Sequence, residues 1–482
     1  MMVNTKYIVL LLVLLHLASG CNNLTEASKN PLKVPTLIDT ASKKEIQLVL
    51  KKSQHQFYPD IKSNTMGINS SYLGPTIKLH KGTKAKLVFT NNIGQNTTIH
   101  GHGLHVSGDV DGGPQQVIKP GTSWKIEIPV AQEAGMSWYH PHLMGKTAEH
   151  VHAGLAGIYL IEDGNSKSLN LPKTYGIDDI PLIIQDRTFS NGKMRPYKVT
   201  HDQMMDGLRE DTLVVNGTIN PSHTAPKGWV RLRLLNGSNA RFYRFFLSNQ
   251  SVFYKIATEG GFLDSPVSME ELIMAPGERN EIMVDLSNID KIDLMAEFLP
   301  ADPEDQLFFM NWFNTTSSVL ELKTDESIAS SGELPERLNK IKYFTNADVD
   351  KAVVRKFTLE MDDDGEKIMD MHNMFTINGN SMEMSRIDER VKLGEIELWS
   401  ITAEMMPHPF HIHGVSFQIL RHNGKPPAES DKGWKDTVVV SEEPTDVIMR
   451  FNHIADEDAP YMYHCHILEH EDGGMMGQFT VQ

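Results

Sequence analysis

The chain carries five His-X-His pairs, and this spacing strongly restricts how the surrounding segments can fold. The pairs are His100/His102, His140/His142, His150/His152, His411/His413 and His464/His466. Random placement of the chain's 21 histidines would produce about one such pair. In an extended strand, residues i and i+2 point to one face and residue i+1 points to the other. The pairs therefore predict β-strands that each present two imidazoles on one side.

The pair His464/His466 encloses Cys465, and two further potential metal ligands follow it, His470 and Met475. A thiolate, an imidazole and a weak axial methionine form the ligand set of a blue-copper electron-transfer site. Because Cys465 points away from its two neighbours, it can bind one metal ion while His464 and His466 bind others. We therefore expect this segment to connect two copper sites covalently.

Composition narrows the class of protein. A chain of 482 residues suits about two to four domains. The net charge of −16 argues against a nucleic-acid partner, which would favour a basic surface. We interpret the negative charge as a feature that keeps the protein soluble. The alternative is that an acidic surface attracts a cationic substrate such as copper. The two cysteines, Cys21 and Cys465, lie in such different surroundings that neither is expected to form a disulfide.

The N-terminus has the features of an export signal. Lys6 precedes an apolar run over residues 8–17, and small residues separate that run from Cys21. The run is too short to span a bilayer as a mature helix. Its end resembles a bacterial lipoprotein cleavage box, although Ala18 stands where leucine is commoner. We expect residues 1–21 to be a signal peptide with Cys21 as the lipidated residue, an ordinary cleaved signal being the alternative. The protein would then be exported to the periplasm or cell envelope, with a lipid anchor to the membrane.

Beyond the signal, residues 22–44 are polar and are predicted to form a tether. Short β-rich runs separated by turn residues then predict β-sandwiches. The three predicted units span residues 45–165, 176–325 and 351–482. No histidine lies between His223 and His372. The chemistry is therefore expected in the first and third units, with the middle unit as a spacer or wall.

Four motifs together resemble those of the three-domain multicopper oxidases. In chain order they are His100-Gly101-His102-Gly103, His140-Pro141-His142, His408-Pro409-Phe410-His411-Ile412-His413 and the segment from His464 to Met475. The resemblance covers residues from roughly 45 to the end of the chain. It implies an all-β fold of three cupredoxin-like Greek-key β-sandwich domains. The segments 110–115 and 433–437 resemble the bacterial copper-efflux, or cuprous oxidase, branch.

The resemblance also implies four bound copper ions. The type 1 ligands would be His408, Cys465, His470 and the axial Met475. The type 2 ligands would be His100 and His411. The type 3 pair would use His102, His140, His142, His413, His464 and His466. His150 and His152 fall outside the resemblance and are interpreted as a surface pair, an accessory copper site being the alternative.

The activity that the resemblance implies is the transfer of single electrons from a reductant through Cys465, coupled to the four-electron reduction of O2 to water. Protons must also reach the site, and carboxylates are natural carriers. Asp111 and Glu471 resemble the acids that the family places beside the type 2 and type 3 coppers. The alternative is that each of them only orients a histidine.

The reductant side of the predicted site is rich in sulfur. Cu(I) prefers thioether and thiolate ligands. Met361, Glu404 and Met406 resemble the substrate-copper residues of the cuprous oxidase branch, in which the acid is typically aspartate. The long methionine- and histidine-rich insert of that branch is reduced here to Met369–Met384, with His372, and these methionines could instead fill a core. We expect Cu(I) as the main reductant and copper tolerance as the result.

Other functions are kept as alternatives. A laccase-like oxidase of phenols or other small reductants would fit the short insert. A non-enzymatic envelope scaffold of the same fold is disfavoured by the intact ligand set. A copper store or carrier would gain nothing from a thiolate joined to a cluster. Copper nitrite reductases have related domains but are usually shorter, two-domain chains that lack this full set of histidine pairs. The chain is expected to be a monomer.

Overall fold

The computed structural model describes residues 29–299, 316–362 and 374–482. The expected signal peptide and Cys21 lie outside the described residues. Strands dominate the described chain, which confirms the all-β prediction, and the helices found there are short. Among these residues, none of the helices has the length and apolar character needed to cross a membrane.

The described part of the expected tether, from Lys29 onward, is not a free segment. It contains β1 (Asn30–Pro31), β2 (Leu37–Asp39) and a 3-10 turn at Thr40–Ser42. The first strand pairs in parallel with residues 221–222 of the middle domain, and the second pairs with residues 76–78 of the first domain. Open sheet edges present unpaired N–H and C=O groups that favour the addition of a strand. The segment therefore ties the first two domains together.

The first domain is a sandwich of two sheets. Its further strands are β3 (Ile46–Tyr58), β4 (Ile61–Ile68), β5 (Thr76–His80), β6 (Lys84–Asn92), β7 (His100–His102), β8 (Ser123–Pro129), β9 (Gly135–His140) and β10 (Gly157–Glu162). The helices are α1 (Gly108–Asp111), α2 (Thr147–His152) and α3 (Gly164–Ser168). The strand orders are β4-β3-β6-β8 and β2-β5-β10-β9-β7. Burial alternates along much of β3, because one face packs on the core and the other meets solvent.

The middle domain packs two six-stranded sheets against each other. Its strands are β11 (Asp179–Arg187), β12 (Phe189–Ser190), β13 (Lys193–Met194), β14 (Thr212–Val215), β15 (Pro221–Lys227), β16 (Trp229–Asn236), β17 (Tyr243–Leu247), β18 (Phe253–Thr258), β19 (Gly261–Met269), β20 (Glu271–Met274), β21 (Arg279–Asp285), β22 (Lys291–Phe298) and β23 (Thr316–Ala329). Helix α4 (His201–Asp206) precedes β14. The strand orders are β14-β11-β16-β21-β18-β19 and β1-β15-β23-β22-β17-β20.

The third domain repeats the sandwich with two five-stranded sheets. Its strands are β24 (Val353–Met361), β25 (Phe375–Ile377), β26 (Glu389–Val391), β27 (Ile396–Ala403), β28 (His408–Ile412), β29 (Gln418–Arg421), β30 (Thr437–Val440), β31 (Thr445–Arg450), β32 (Tyr461–Cys465) and β33 (Met476–Val481). Helix α5 (Asn346–Val349) precedes them, and α6 (Leu468–Asp472) lies between β32 and β33. The orders are β25-β24-β27-β31-β29 and β26-β33-β32-β28-β30.

Apolar packing joins the domains as well as filling them. Each sandwich encloses its own core. A further cluster joins the first and middle domains, with Trp138 and Ile158 on one side and Ile183 and Leu235 on the other. Burial of apolar area is the dominant favourable term in such associations. Met205 and Ala240 of the middle domain also pack into the core of the third domain, so apolar contacts hold the middle domain against both of its neighbours.

Candidate metal centre

Strand register explains how the histidine pairs converge. In the first domain, His100 of β7 lies opposite His140 of β9. In the third domain, His411 of β28 lies opposite His464 of β32, and Phe410 lies opposite Cys465. Because side chains alternate along a strand, His411 of β28 faces the same way as His464, and His413 follows two residues later. His408 points to the other face of the sheet, together with Cys465.

The eight histidines of the four motif His-X-His pairs meet in one buried cluster, and each exposes at most 1% of its surface. Three groups have ring nitrogens within 4.8 Å of one another. The groups are His100 with His411 and His413, His102 with His140 and His466, and His142 with His413 and His464. The His102 and His411 rings stack at 3.6 Å and the His100 and His413 rings at 3.8 Å, so one histidine of each stack comes from each end domain.

Ring-nitrogen partners test whether this cluster fits metal ions. His100, His140, His411 and His464 each donate Nδ1–H to a backbone carbonyl, at 2.8–2.9 Å. Because the proton of each ring is on Nδ1, the Nε2 atom carries no proton and has a lone pair available for a metal ion. The Nε2 atoms of His100, His140 and His411 are buried and have no hydrogen-bond partner. Buried polar atoms normally have one. Imidazole suits copper, zinc, iron and nickel, so the inward-facing lone pairs fit a metal cluster.

Burial keeps these imidazoles neutral. The pKa values of His102, His140, His142, His411, His413 and His464 all lie well below the ordinary value, first because of desolvation and second because neighbouring imidazoles repel a further positive charge. Desolvation is also the largest cause that lowers the pKa of His466 to about 3, followed by the charge of Arg279 and then by His100. A neutral imidazole is the form that binds a metal ion.

A second, smaller site lies on the opposite face of the same sheet. The Sγ atom of Cys465 is 3.3 Å from Nδ1 of His408 and 3.7 Å from Nδ1 of His470. His470 donates from Nε2 to the carbonyl of Met205 at 2.8 Å, which leaves Nδ1 directed at the thiol. Met475 is fully buried in the same core cluster. Burial raises the pKa of the Cys465 thiol, so a bound cation is needed to stabilise the thiolate.

Both predicted acids contact the histidine cluster. Asp111 accepts from Nδ1 of His413 at 2.7 Å, and its own backbone carbonyl accepts from His100. Glu471, on α6, has one carboxyl oxygen 3.3 Å from Nδ1 of His142 and the other 3.3 Å from Nδ1 of His464. Desolvation raises the pKa of Glu471 well above its ordinary value. Each acid is thus placed on one side of the cluster.

The middle domain is more than the expected spacer or wall. Arg279 of β21 forms a buried two-pronged ion pair with Asp436. Asp436 in turn accepts from Nε2 of His102 at 3.0 Å, and its backbone carbonyl accepts from His411 at 2.8 Å. Gly277, with φ of 84°, leaves room for His466, since a Cβ there would lie 2.9 Å from that ring. Asp436 lay within the matched 433–437 segment, whereas no sequence signal pointed to Arg279.

The fifth pair does not fit the interpretation as a surface pair. His150 and His152 lie on α2 and are buried, with exposures of 0% and 2%. His150 contacts Gln95 and Thr97, while His152 pairs with Glu210 of the middle domain at 2.9 Å. The two rings therefore have separate partners, and neither belongs to a metal-capable group among the described residues.

The two predicted substrate methionines lie in the same core as Cys465. Met361 and Met406 are each 9% exposed and share a core cluster with Cys465. The side chain of Glu404 is exposed. Met405, which lies between Glu404 and Met406 in the chain, has a φ of 68° and is 59% exposed. Of the sulfur-rich stretch, Met374 is buried and Met384 is 43% exposed, whereas residues 363–373 lie outside the described chain.

A cleft of about 400 Å³ opens where the three domains meet. Its lining includes His105, Ser416 and Trp434. His105 lies shortly after His102 in the chain, Ser416 shortly after His413, and Trp434 shortly before Asp436. His105 and Ser416 hydrogen-bond across the junction of the first and third domains at 2.9 Å. Solvent therefore approaches the loops that carry the cluster histidines from this side.

Comparison with known proteins points to one family. Sequence profiles described as multicopper oxidase match residues 50–166 and 350–482. A Staphylococcus aureus protein named multicopper oxidase mco is 41% identical over 464 residues, covering 94% of this chain and 93% of its own length. A protein of Photorhabdus laumondii named cell division protein FtsP is 36% identical, with coverage of 95% and 94%.

Solved structures show the same relationship. The laccase-like multicopper oxidase CueO from Ochrobactrum sp. superposes with a TM-score of 0.85 at 35% identity, covering 94% of this chain and all of that one. A Campylobacter jejuni multicopper oxidase described as a metallo-oxidase superposes with a TM-score of 0.80 at 26% identity, with coverage of 94% and 95%. The matched regions therefore extend over nearly the whole length of this chain and of each of these relatives.

Proposed function

Because the chain belongs to the multicopper oxidase family, in its bacterial laccase-like branch, we propose that it oxidises Cu(I) as its main substrate and passes the electrons to O2, forming water. The observation that supports this proposal most strongly is the position of Cys465. Its thiol faces one ligand set, while His464 and His466 belong to the cluster on the other face. A few covalent bonds of one strand thus separate an electron-collecting site from an O2-reducing site.

Four copper ions are proposed to occupy the two sites, with one held by His408, Cys465, His470 and Met475. His100 and His411 would hold the type 2 ion, and the other two groups of three histidines would hold the type 3 pair. Bound copper would supply the single-electron exchange on the thiolate side and the reduction of O2 on the imidazole side. The protein orients the rings, since a backbone carbonyl or a carboxylate fixes the other nitrogen of most of them.

Two buried acids are proposed to deliver protons to the cluster. Desolvation disfavours the charged form of Glu471 and raises its pKa well above the ordinary value, and its carboxyl lies next to His142 and His464. Asp111 has one oxygen bound by His413, whereas its other oxygen is buried and without a partner. Each acid can therefore present a carboxyl oxygen beside the ligands while holding a ring in place.

Met361, Met406 and Glu404 are proposed to bind the substrate Cu(I). The N–H of Met406 donates to the carbonyl of Glu404 at 2.8 Å, which makes a tight turn around Met405. This turn places the Glu404 carboxylate at the surface and turns the Met406 thioether into the core that contains Cys465. A charged oxygen outside and a soft sulfur inside suit the capture and inward transfer of Cu(I).

Oxygen uptake by copper-loaded protein, with Cu(I) or a phenol as reductant at matched concentrations, tests the proposal. Met406→Leu should lower Cu(I)-driven uptake by about tenfold, because leucine lacks the thioether ligand that Cu(I) prefers. Phenol-driven uptake should change little. Met449→Leu, in the same core, is the control, since this swap keeps volume. An equal loss on both reductants, or none on either, would count against a dedicated Cu(I) site.

A laccase-like role is the second candidate, because the Ochrobactrum relative is described as an oxidase acting on lignin model compounds and lignosulfonate. Phenol turnover above Cu(I) turnover in the same assay would favour it. A non-enzymatic role in the cell envelope is the third candidate, because several relatives are named cell division protein FtsP. Copper loading without any O2 uptake would favour that role.

Export and lipidation at Cys21 are also part of the proposal, and metabolic labelling with a fatty acid would test them.

A further inference from the structure

We propose that the middle domain orients the copper cluster through Arg279 and Asp436, which together fix the ring orientation of His102. This inference rests on the proposed function, because it assigns a positioning role for the copper ligands. The two residues act through His102 and His411 and do not themselves reach the reacting atoms. The middle domain, which contributes no cluster histidine, would thereby control the geometry of a site formed by its two neighbours.

The first observation is that His102 is oriented differently from most cluster histidines. His100, His140, His411 and His464 donate from Nδ1, and each leaves Nε2 toward the cluster. His102 instead has Nε2 3.0 Å from a carboxyl oxygen of Asp436. Its Nδ1 is buried and has no partner. Asp436 therefore decides which nitrogen of His102 is left for a metal ion.

The second observation is that Arg279 contacts all three domains at this point. Besides Asp436 of the third domain, its guanidinium donates to the carbonyl of Met136 in the first domain at 3.1 Å and to that of Gly277 in its own at 3.0 Å. The side chain is only 1% exposed. A planar guanidinium holds a carboxylate with two parallel bonds, so it fixes orientation as well as charge.

The third observation is how tightly the chain packs here. Gly103 directly follows His102 and has φ of 84°. A Cβ at Gly103 would lie 2.5 Å from a guanidinium nitrogen of Arg279 and 2.6 Å from an oxygen of Asp436. The Gly103 backbone therefore rests directly on the ion pair. A shift of the pair would be transmitted to the His102 ring.

The structure also shows why Arg279 is needed. A carboxyl oxygen of Asp436 lies within 4.8 Å of the ring nitrogens of both His102 and His411. Carboxylates bind metal ions readily, so an unrestrained Asp436 could itself become a ligand and distort the cluster. The two bonds from Arg279 hold the carboxylate in its role as acceptor for His102.

Arg279→Met is the main test, since it removes every donor and the charge while keeping an unbranched side chain. We expect the Arg279→Met variant to bind type 1 copper normally and to keep its blue absorption unchanged. Copper in the cluster should bind about 10- to 100-fold more weakly, and the electron paramagnetic resonance signal of type 2 Cu(II) should shift. Arg279→Lys should recover part of the loss, because it restores the charge without the two-pronged geometry. Asp436→Asn should have a smaller effect, because its amide oxygen can still accept from His102.

The matched control is Arg233→Met, which breaks a buried ion pair with Asp179 and Glu281 in the same domain, and the bonds of this pair do not involve a cluster histidine. It should leave the ratio of cluster copper to type 1 copper unchanged. A ring-nitrogen NMR spectrum of the copper-free protein, with the His102 signals identified in His102→Gln, gives a readout independent of loading. In Arg279→Met the proton of His102 should no longer be confined to Nε2.

Two results would overturn the inference. One is full cluster loading with unchanged type 2 and ring-nitrogen signals in Arg279→Met. The other is an equal loss of cluster copper in Arg233→Met, which would show a general effect of domain stability. If Arg279→Met does not fold, Arg279→Lys and Asp436→Asn decide by the same measurements. Wild-type protein that never binds cluster copper would contradict the proposed function instead.

Discussion

The pairs His464/His466 and His150/His152 have the same spacing in sequence and different outcomes in the fold. The first lies at the end of strand β32, where both rings reach the buried cluster. The second lies on helix α2, where residues two apart point about 200° away from each other. His150 therefore bonds within the first domain and His152 pairs with the middle domain. Spacing of i and i+2 predicts a shared site only where the chain is extended.

The largest expected effect comes from Cys465→Ser, which breaks the connection between the two faces of β32. Serine offers a poor ligand for copper compared with a thiolate. We expect the blue absorption to disappear and O2 uptake to fall to background with any reductant. Copper analysis should show that the cluster ions stay bound. Blue protein that still turns over would contradict the assignment of Cys465.

His140→Gln tests the cluster side of the comparison. It removes an unpaired Nε2 from the group with His102 and His466, so cluster copper and O2 reduction should be lost. The blue colour should remain and should still bleach when Cu(I) is added without oxygen. His150→Gln is the matched control and should retain full copper content. Loss of copper in both variants would reinstate an accessory role for the helix pair.

Glu471→Gln is expected to have the next largest effect. Glutamine keeps the shape of the side chain but cannot carry a proton to the cluster, so O2 reduction should slow by about 10²- to 10⁴-fold. Anaerobic bleaching of the blue colour by reductant should be unchanged. Stopped-flow absorption separates these two steps. Full copper loading with normal O2 reduction would remove Glu471 from the mechanism.

The smallest effect is expected on stability, from His150. Burial lowers the pKa of His150 to about 4 in the folded protein, against an ordinary value of 6.5. The unfolded chain therefore takes up a proton first, and folded stability should fall as the pH drops from about 6.5 toward 4, by up to about 3 kcal/mol. His150→Gln should flatten that part of the pH profile. Urea unfolding of copper-free protein at several pH values measures it, and an unchanged slope would contradict the prediction.

Much of the fold and of the candidate site could be predicted because the signals are local. The β-rich runs at residues 84–90 and 229–235 each end in turn residues and predict strands, and β6 and β16 begin at the same residues and end within two residues of these runs. The twelve proposed copper ligands come together because their motifs set side-chain direction along each strand. The fold of residues 29–44 was missed, because their pairing depends on sheet edges far away in sequence.

The sequence by itself determined which residues are proposed to carry the chemistry: the thiol of Cys465, the imidazoles of the four motif pairs and the acids next to them. These follow from residue type and spacing, which are properties of short segments. Only the tertiary structure decided that His150 and His152 belong to the core and that Arg279 reaches Asp436 across domains. The physical reason is that ring orientation and burial depend on packing between distant segments. No local pattern records that packing.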